Sequence, residues 1–348
     1  MPSSSEVTVV TPRLCFVGPM LGRHPGRVAS QGETLAALFA QLATSSAVSP
    51  TVRAGRAAVD LFRWRDRIDV VVVMVFSGRA FAHADLASAV GRAIGKKVVL
   101  HLHGGNLPAF ARRHPVWARR VLARADAVVA PSSYLARAFG AGGRPVTVIP
   151  NVLSLDAYDY LERGPVRPRL LWMRAFEPLY RPAMALDVLA GVRRSVPDAR
   201  LTMAGPDGGM AGEIRRRAAA MGLGGGVDFP GVLDAGGKAR AFADHDVLVS
   251  TSSVDNAPVT VLEAAASGVP VVAASVGGLP DLLTDGVDAL LVADGDAGAM
   301  ADAVVRLVGD AELVRRLSRN GRRLAERSDW SEVRPQWEAL FAGVVARS

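Results

Sequence analysis

The feature that most constrains this chain is the alternation of short apolar runs with longer amphipathic segments, repeated along nearly its whole length. Strand-like runs fall at Leu14–Val17, Val70–Phe76, Lys97–Leu100, Ala127–Ala130 and Thr147–Ile149. Helical periodicity separates them at Gln31–Thr44, Ala82–Ile94, Pro108–Ala123 and Ser133–Phe139. Such strand–helix–strand order calls for right-handed crossovers and a doubly wound parallel sheet. The rhythm breaks over Asp156–Arg169, where Gly164, Pro165 and Pro168 read as a linker.

Beyond the linker the alternation restarts. Strands are predicted at Leu170–Met173, Arg200–Ala204, Val227–Phe229, Val247–Ser250, Val269–Ala273 and Ala289–Val292, with helices between and after them. Two Rossmann-like domains in tandem account for this: residues 1–160 and residues 165–330, with a last helix in 331–348 predicted to pack back on the first. At 348 residues the chain has the length for two such domains. The fold class is therefore α/β, two facing Rossmann-like domains with a cleft between them. Ligands in open parallel sheets sit beyond the carboxyl ends of the strands, so the chemistry is expected in those loops.

Composition narrows the function classes. Half of the residues are hydrophobic, which excludes intrinsic disorder. No apolar run approaches the eighteen or so residues of a membrane span. The start, Met-Pro-Ser-Ser-Ser-Glu, lacks a basic segment followed by a long apolar one, so a cytoplasmic location is expected. Cys15 is the one cysteine and reads as a buried small hydrophobe. The net charge of +8 is unevenly spread: residues 1–164 hold 20 basic and 10 acidic side chains, residues 165–348 hold 21 and 23. One half thus faces an anionic partner while the other does separate work.

The most informative segment runs from Ser253 to Val272, Ser-Val-Asp-Asn-Ala-Pro-Val-Thr-Val-Leu-Glu-Ala-Ala-Ala-Ser-Gly-Val-Pro-Val-Val. A helix is predicted to begin at Pro258, a residue suited to the first helical position. Free N–H groups over Ala257 to Val261 would then form a positive pocket for a diphosphate. Asp255 and Glu263 flank it, placed to accept hydrogen bonds from sugar hydroxyls. The alternative is that Asp255 only caps the helix and Glu263 is a solvated or salt-bridged side chain.

A carboxylate, seven residues, then Glu-Ala-x-Ala-x-Gly-x-Pro-Val-Val resembles the signature of the retaining glycosyltransferases of family 4, the group 1 nucleotide-sugar enzymes of GT-B fold. Asp255 stands where that family usually carries Glu, and a branch with Asp-Asn-x-Pro is similar. Leu170-Leu-Trp-Met-Arg-Ala-Phe and Tyr180-Arg-Pro-Ala-Met-Ala-Leu186 resemble the first strand and loop of the family's second domain. Arg174 matches the family's diphosphate-gripping arginine. Arg181 stands near a position where a lysine is common, with a different spacing and residue type, and could instead be a surface charge at a helix start. Met203-Ala-Gly-Pro-Asp-Gly-Gly209, Val227-Asp-Phe-Pro-Gly-Val232, Gly277-Gly-Leu-Pro-Asp281 and Val148-Ile-Pro-Asn-Val152 resemble further phrases of the family in the right order.

The resemblance implies a donor site made of Gly22, Arg174, Arg181, Gly205, Asn256, Ala257, Pro258, Val259 and Glu263, with His103 and Asp255 as catalytic residues. Glu263 would hold ribose hydroxyls and Asp255 the hydroxyls of the sugar ring. His103, in Leu100-His-Leu-His-Gly-Gly-Asn106, stands where the family often has a histidine facing the cleft, with His101 as its rival. Gly18–Gly26 is a flexible loop without dinucleotide-binding spacing. The implied activity is transfer of a hexose-type sugar, with retention, from a nucleoside-diphosphate sugar to a glycan, lipid-linked or small-molecule hydroxyl. No metal and no further cofactor is expected. A nucleotide-sugar epimerase of the same fold and a non-catalytic nucleotide-sugar or lipid-binding protein are the alternatives.

Arginines 53, 56, 63, 65 and 67 form one basic stretch, and 112, 113, 119, 120 and 124 another around Phe110 and Trp117. Solvated helix faces would read this way, and so would peripheral attachment to the anionic inner face of a membrane. No helix-turn-helix, zinc pattern or aromatic RNA-binding string is visible, so a nucleic-acid partner is not expected.

Overall fold

The computed structural model describes residues 12–18, 30–44, 50–141 and 143–347. Gly22 lies outside the described residues, as does the side chain of Arg53. In the first domain the strands are β1 (Leu14–Val17), β2 (Leu42–Thr44), β3 (Val70–Val75), β4 (Lys97–Leu102), β5 (Ala127–Ala130) and β6 (Val146–Val148). They form one parallel sheet in the order β2-β1-β3-β4-β5-β6. The second domain holds β7 (Arg169–Met173), β8 (Arg200–Ala204), β9 (Val227–Gly231), β10 (Val247–Ser250), β11 (Val271–Ala274) and β12 (Leu290–Val292), ordered β12-β11-β10-β7-β8-β9. Two six-stranded parallel sheets, each covered by helices, make the two-domain GT-B architecture.

The continuous apolar run of β3 follows from burial on both faces, the usual condition of a parallel strand. Val71 and Val73 meet Ala57, Leu61, Phe81 and Ala84 on one side. Val70, Val72 and Met74 meet Leu35, Val333, Trp337 and Phe341 on the other. That second set includes the helix Trp330–Ala346, so the end of the chain completes the first domain's core. The chain passes between the domains twice, and the two passages run together. Leu153 N–H donates to Ser328 O at 2.7 Å, and Leu155 N–H to the Asp329 carboxylate at 3.2 Å.

Two predicted helices of the first domain are cut short or divided, and one helix stands where no element was predicted. The helix predicted over Gln31–Thr44 ends at Leu38, because Ala40 turns the backbone left-handed (φ 50°) and the next residues pair with β1 as an edge strand. The helix predicted over Pro108–Ala123 divides at His114, whose φ −128°, ψ 59° is non-helical, as expected before Pro115. An arginine-rich helix, Pro50–Arg63, fills the stretch between β2 and β3.

Candidate active site

The loops after β7, β8 and β9 converge with the interdomain passage on a cavity of about 780 Å³. Arg174 follows β7 and Gly205 follows β8. Arg174 N–H donates to Ala204 O (3.1 Å) and Gly205 N–H to Gly231 O (2.8 Å), so three strand ends are tied together at the cavity wall. Gly205 has φ 149°, and a Cβ there would lie 1.8 Å from the Arg174 carbonyl oxygen. Only glycine lets the two loops approach this closely.

Arg174 lines the cavity and is held from two sides. Its guanidinium donates to Asp255 Oδ2 at 2.5 Å and lies over the Tyr180 ring at 5.4 Å. Asp255 also accepts from the Ser252 hydroxyl (3.2 Å) and from Asn256 N–H (3.0 Å). Its carboxylate therefore faces the arginine and its own loop, where the sequence placed it among sugar hydroxyls.

Glu263 lines the cavity from the helix Val259–Ala266 and is 3% exposed. Its Oε1 accepts from the Tyr158 hydroxyl at 2.7 Å and from Lys238 Nζ. Its Oε2 is buried and has no partner among the described residues. Burial, with the neighbouring Glu263 carboxylate, pushes the Tyr158 hydroxyl well above the usual range, so it remains a donor. Neither Tyr158 nor Lys238 was singled out from the sequence.

The helix carrying Glu263 starts one residue later than predicted. Pro258 is its extended cap (φ −69°, ψ 119°), and Val261 N–H already donates to Pro258 O at 3.1 Å. Val259 lines the cavity. Asn256 and Ala257 instead belong to the seam between domains: Asn256 Oδ1 accepts from the Ser132 hydroxyl, and Ala257 O from Asn151 Nδ2 at 2.7 Å. Arg137 and Asp281 close the same seam at 2.8 Å.

Of the predicted site residues, Asp255, Asn256, Ala257 and Pro258 stand outside the cavity lining, and Arg181 and His103 are turned elsewhere. Arg181 is left-handed (φ 45°) ahead of Pro182, and its guanidinium pairs with Asp294 on the surface. His103 is buried, with Nε2 3.2 Å from Met74 Sδ and its ring stacked on Phe76. It shares its strand face with His101, whose two ring nitrogens have no partner among the described residues, and both rings point toward the first domain's core. Burial pushes His103 down to about 3 and His101 well below its ordinary value. Among the described residues no group of three or more His, Cys, Asp or Glu could hold a metal ion.

The facing sheets, the strand-end cavity and the Arg174–Glu263 arrangement define a GT-B class of protein. The family described as "Glycosyl transferases group 1" matches residues 164–324, and "Glycosyltransferase Family 4" matches residues 6–157. The chain belongs to the group 1 glycosyltransferases of family 4. A phosphatidyl-myo-inositol mannosyltransferase of Mycobacterium leprae is 31% identical over 209 residues, covering 58% of this chain and 55% of the relative. A D-inositol 3-phosphate glycosyltransferase of Catenulispora acidiphila is 30% identical over 249 residues, 66% of this chain and 56% of the relative. The match thus spans little more than half the length of these relatives. In fold, the chain resembles Anabaena HepE in complex with UDP and glucose (TM-score 0.76, 17% identity, 95% of this chain and 100% of that one). It also resembles sucrose-phosphate synthase of Thermosynechococcus elongatus (TM-score 0.78, 18% identity, 97% and 100%).

Proposed function

We propose that the protein is a retaining, metal-independent hexosyltransferase that takes a sugar from a nucleoside diphosphate and gives it to a hydroxyl of a glycan or lipid-linked acceptor. The observation that supports this is Glu263, a lining residue of the cavity whose buried Oε2 has no partner among the described residues and is free to accept from a ribose hydroxyl. Arg174 stands above it on the cavity wall, where its fork suits diphosphate oxygens. As the bond from the anomeric carbon to the phosphate oxygen breaks, Arg174 and the helix start at Val259 stabilise the negative charge that develops. The acceptor oxygen bonds to the anomeric carbon from the same face, and its proton passes to the departing phosphate. Closure of the domains keeps water out.

The acceptor side is the basic first domain. The helix Pro50–Arg63 exposes Val52, Val59 and Phe62, each at least 60% accessible, among Arg56 and Arg63. Arg65 lies over the Phe62 ring at 4.7 Å. Val116 adds a second exposed apolar group between Arg113 and Arg119. This mixture fits the anionic inner face of a membrane bearing a lipid-linked acceptor, reached from the cytoplasm. The phosphatidyl-myo-inositol mannosyltransferase relative supports the lipid reading.

An epimerase would need further acid–base carboxylates in the cavity. Besides Glu263 the cavity wall holds Asp234, which is occupied in capping a helix through Gly237 N–H at 2.7 Å. The test is incubation with UDP-, GDP- and ADP-sugars, following nucleotide release with and without lipid extracts. Acceptor-dependent release supports transfer; a converted sugar nucleotide supports epimerisation; binding without either supports a non-catalytic protein.

A further inference from the structure

The ribose-facing carboxylate is not left to find its own direction. Glu263 has two oxygens in unlike surroundings: Oε1 takes both available donors, and Oε2 takes none. The two donors come from different places. Lys238 is on the helix Ala235–Asp244, itself fixed by the Asp234 cap, and its ammonium is almost wholly buried. Tyr158 stands on the chain's first passage between the domains, next to the short turn Leu155–Ala157, with its ring edge-on to Phe242 at 6.0 Å.

A carboxylate buried this deeply needs a charge partner, which explains Lys238. It does not explain why both donors converge on one oxygen. Each hydrogen bond to Oε1 restricts rotation of the carboxyl plane, and together they leave Oε2, buried under the cavity lining, as the acceptor without a protein partner among the described residues. Composition also sets Lys238 apart, since it is the only lysine among the 21 basic residues after position 164. A flexible ammonium stem reaches a buried carboxylate where a planar guanidinium would need room for its fork.

Resting on the donor reading above, we infer that Tyr158 and Lys238 are positioning residues that present Glu263 Oε2 to the 2′- and 3′-hydroxyls of the donor's ribose. The ribose site thereby draws one of its groups from the interdomain linker rather than from the second domain alone. Because they act through Glu263, their loss is expected to fall on nucleotide recognition.

The test is calorimetric titration of wild type and Tyr158→Phe with UDP, GDP and ADP, each beside its 2′-deoxy form. Wild type is expected to prefer the ribo form of its nucleotide by about 10-fold or more, the worth of a hydrogen bond to a charged group. In Tyr158→Phe, which keeps the ring against Phe242, that preference should shrink to within about threefold, with the melting temperature close to wild type. A merely structural tyrosine would weaken both forms alike and leave the ratio where it was, and that result overturns the inference while sparing the donor reading. Wild type that binds none of the three nucleotides overturns both. Lys238→Gln carries the same test through the other donor, should Tyr158→Phe fail to accumulate as folded protein.

Discussion

Arg174 donates to Asp255 Oδ2 across 2.5 Å, and this pair joins the end of β7 to the loop that precedes the Glu263 helix. Both side chains are largely shielded from water. The carboxylate thus aims the guanidinium, leaving its remaining N–H groups for an anion in the cavity.

Replacing Arg174 with Ala should therefore lower kcat/KM by a factor on the order of 10² to 10³, the range for losing one preorganised donor to developing charge. Arg174→Lys should recover only part of it, since a single ammonium cannot serve Asp255 and a phosphate with the geometry of a fork. Initial rates of acceptor-dependent nucleotide release measure this. Rates equal to wild type in both variants would place the diphosphate elsewhere.

Glu263→Ala should weaken donor binding by about 1–3 kcal/mol through the loss of charged hydrogen bonds to the ribose. Titration of the nucleotide against folded variant reads it directly. Unchanged affinity would remove Glu263 from the donor site.

Most of the strands were legible because each is an apolar run bounded by turn residues, and Val70–Val75 is the clearest of them. The edge strand β2 was hidden, since Leu42-Ala-Thr44 continues the helical pattern of Gln31–Leu38 and only the left-handed turn at Ala40 separates them. Among the described side chains, the Pro50–Arg63 helix buries Ala57 and Leu61 but exposes Val52, Val59 and Phe62, so its apolar residues do not all mark the core face. In the site, Arg174, Gly205 and Glu263 line the cavity, and each belongs to a strand-end or helix phrase visible in the sequence. Tyr158 and Lys238 act on a residue 105 and 25 positions away, a relation no local pattern encodes. Arg181 illustrates the opposite case: its residue type fits a phosphate, but its partner is Asp294, 113 positions away, which no local pattern encodes.

Gly205→Ala should be disruptive out of proportion to its size. The new methyl would meet the Arg174 carbonyl oxygen at 1.8 Å, and the φ of 149° adds strain of about 1–3 kcal/mol. Relieving the contact moves the β7 loop and Arg174 with it. A lowered urea midpoint together with lost nucleotide binding is the expected result; wild-type values for both would show that the two loops part freely.

The exposed stripe of the Pro50–Arg63 helix predicts flotation with vesicles containing anionic lipid and little with neutral ones. Phe62→Glu should reduce the bound fraction severalfold, and salt at roughly 0.5 M should reduce it further by screening the arginines. Equal failure to bind both vesicle types would exclude a membrane role for this surface.

The buried histidines predict a stability that declines in acid. His101 and His103 are neutral in the folded protein, His103 with its value pushed down to about 3 and His101 pushed well below the ordinary one. In the unfolded chain both take up a proton near pH 6.5. Above that pH neither state is protonated and the full stability is present. As pH falls from about 6.5 toward 3, the unfolded state gains protons that the folded state refuses, costing about 1.4 kcal/mol per pH unit for each histidine. The first domain should feel this first, because the His101 ring packs edge-on to Trp337 at 5.0 Å and a charge there would push on the helix Trp330–Ala346. Urea unfolding followed by tryptophan fluorescence at pH 7.5 and pH 5 checks it. His101→Phe should remove about half of the acid sensitivity and cost little at pH 7.5, since it replaces unpaired buried nitrogens with an apolar ring. Identical pH dependence in wild type and variant would mean that His101 is reached by water in the folded state.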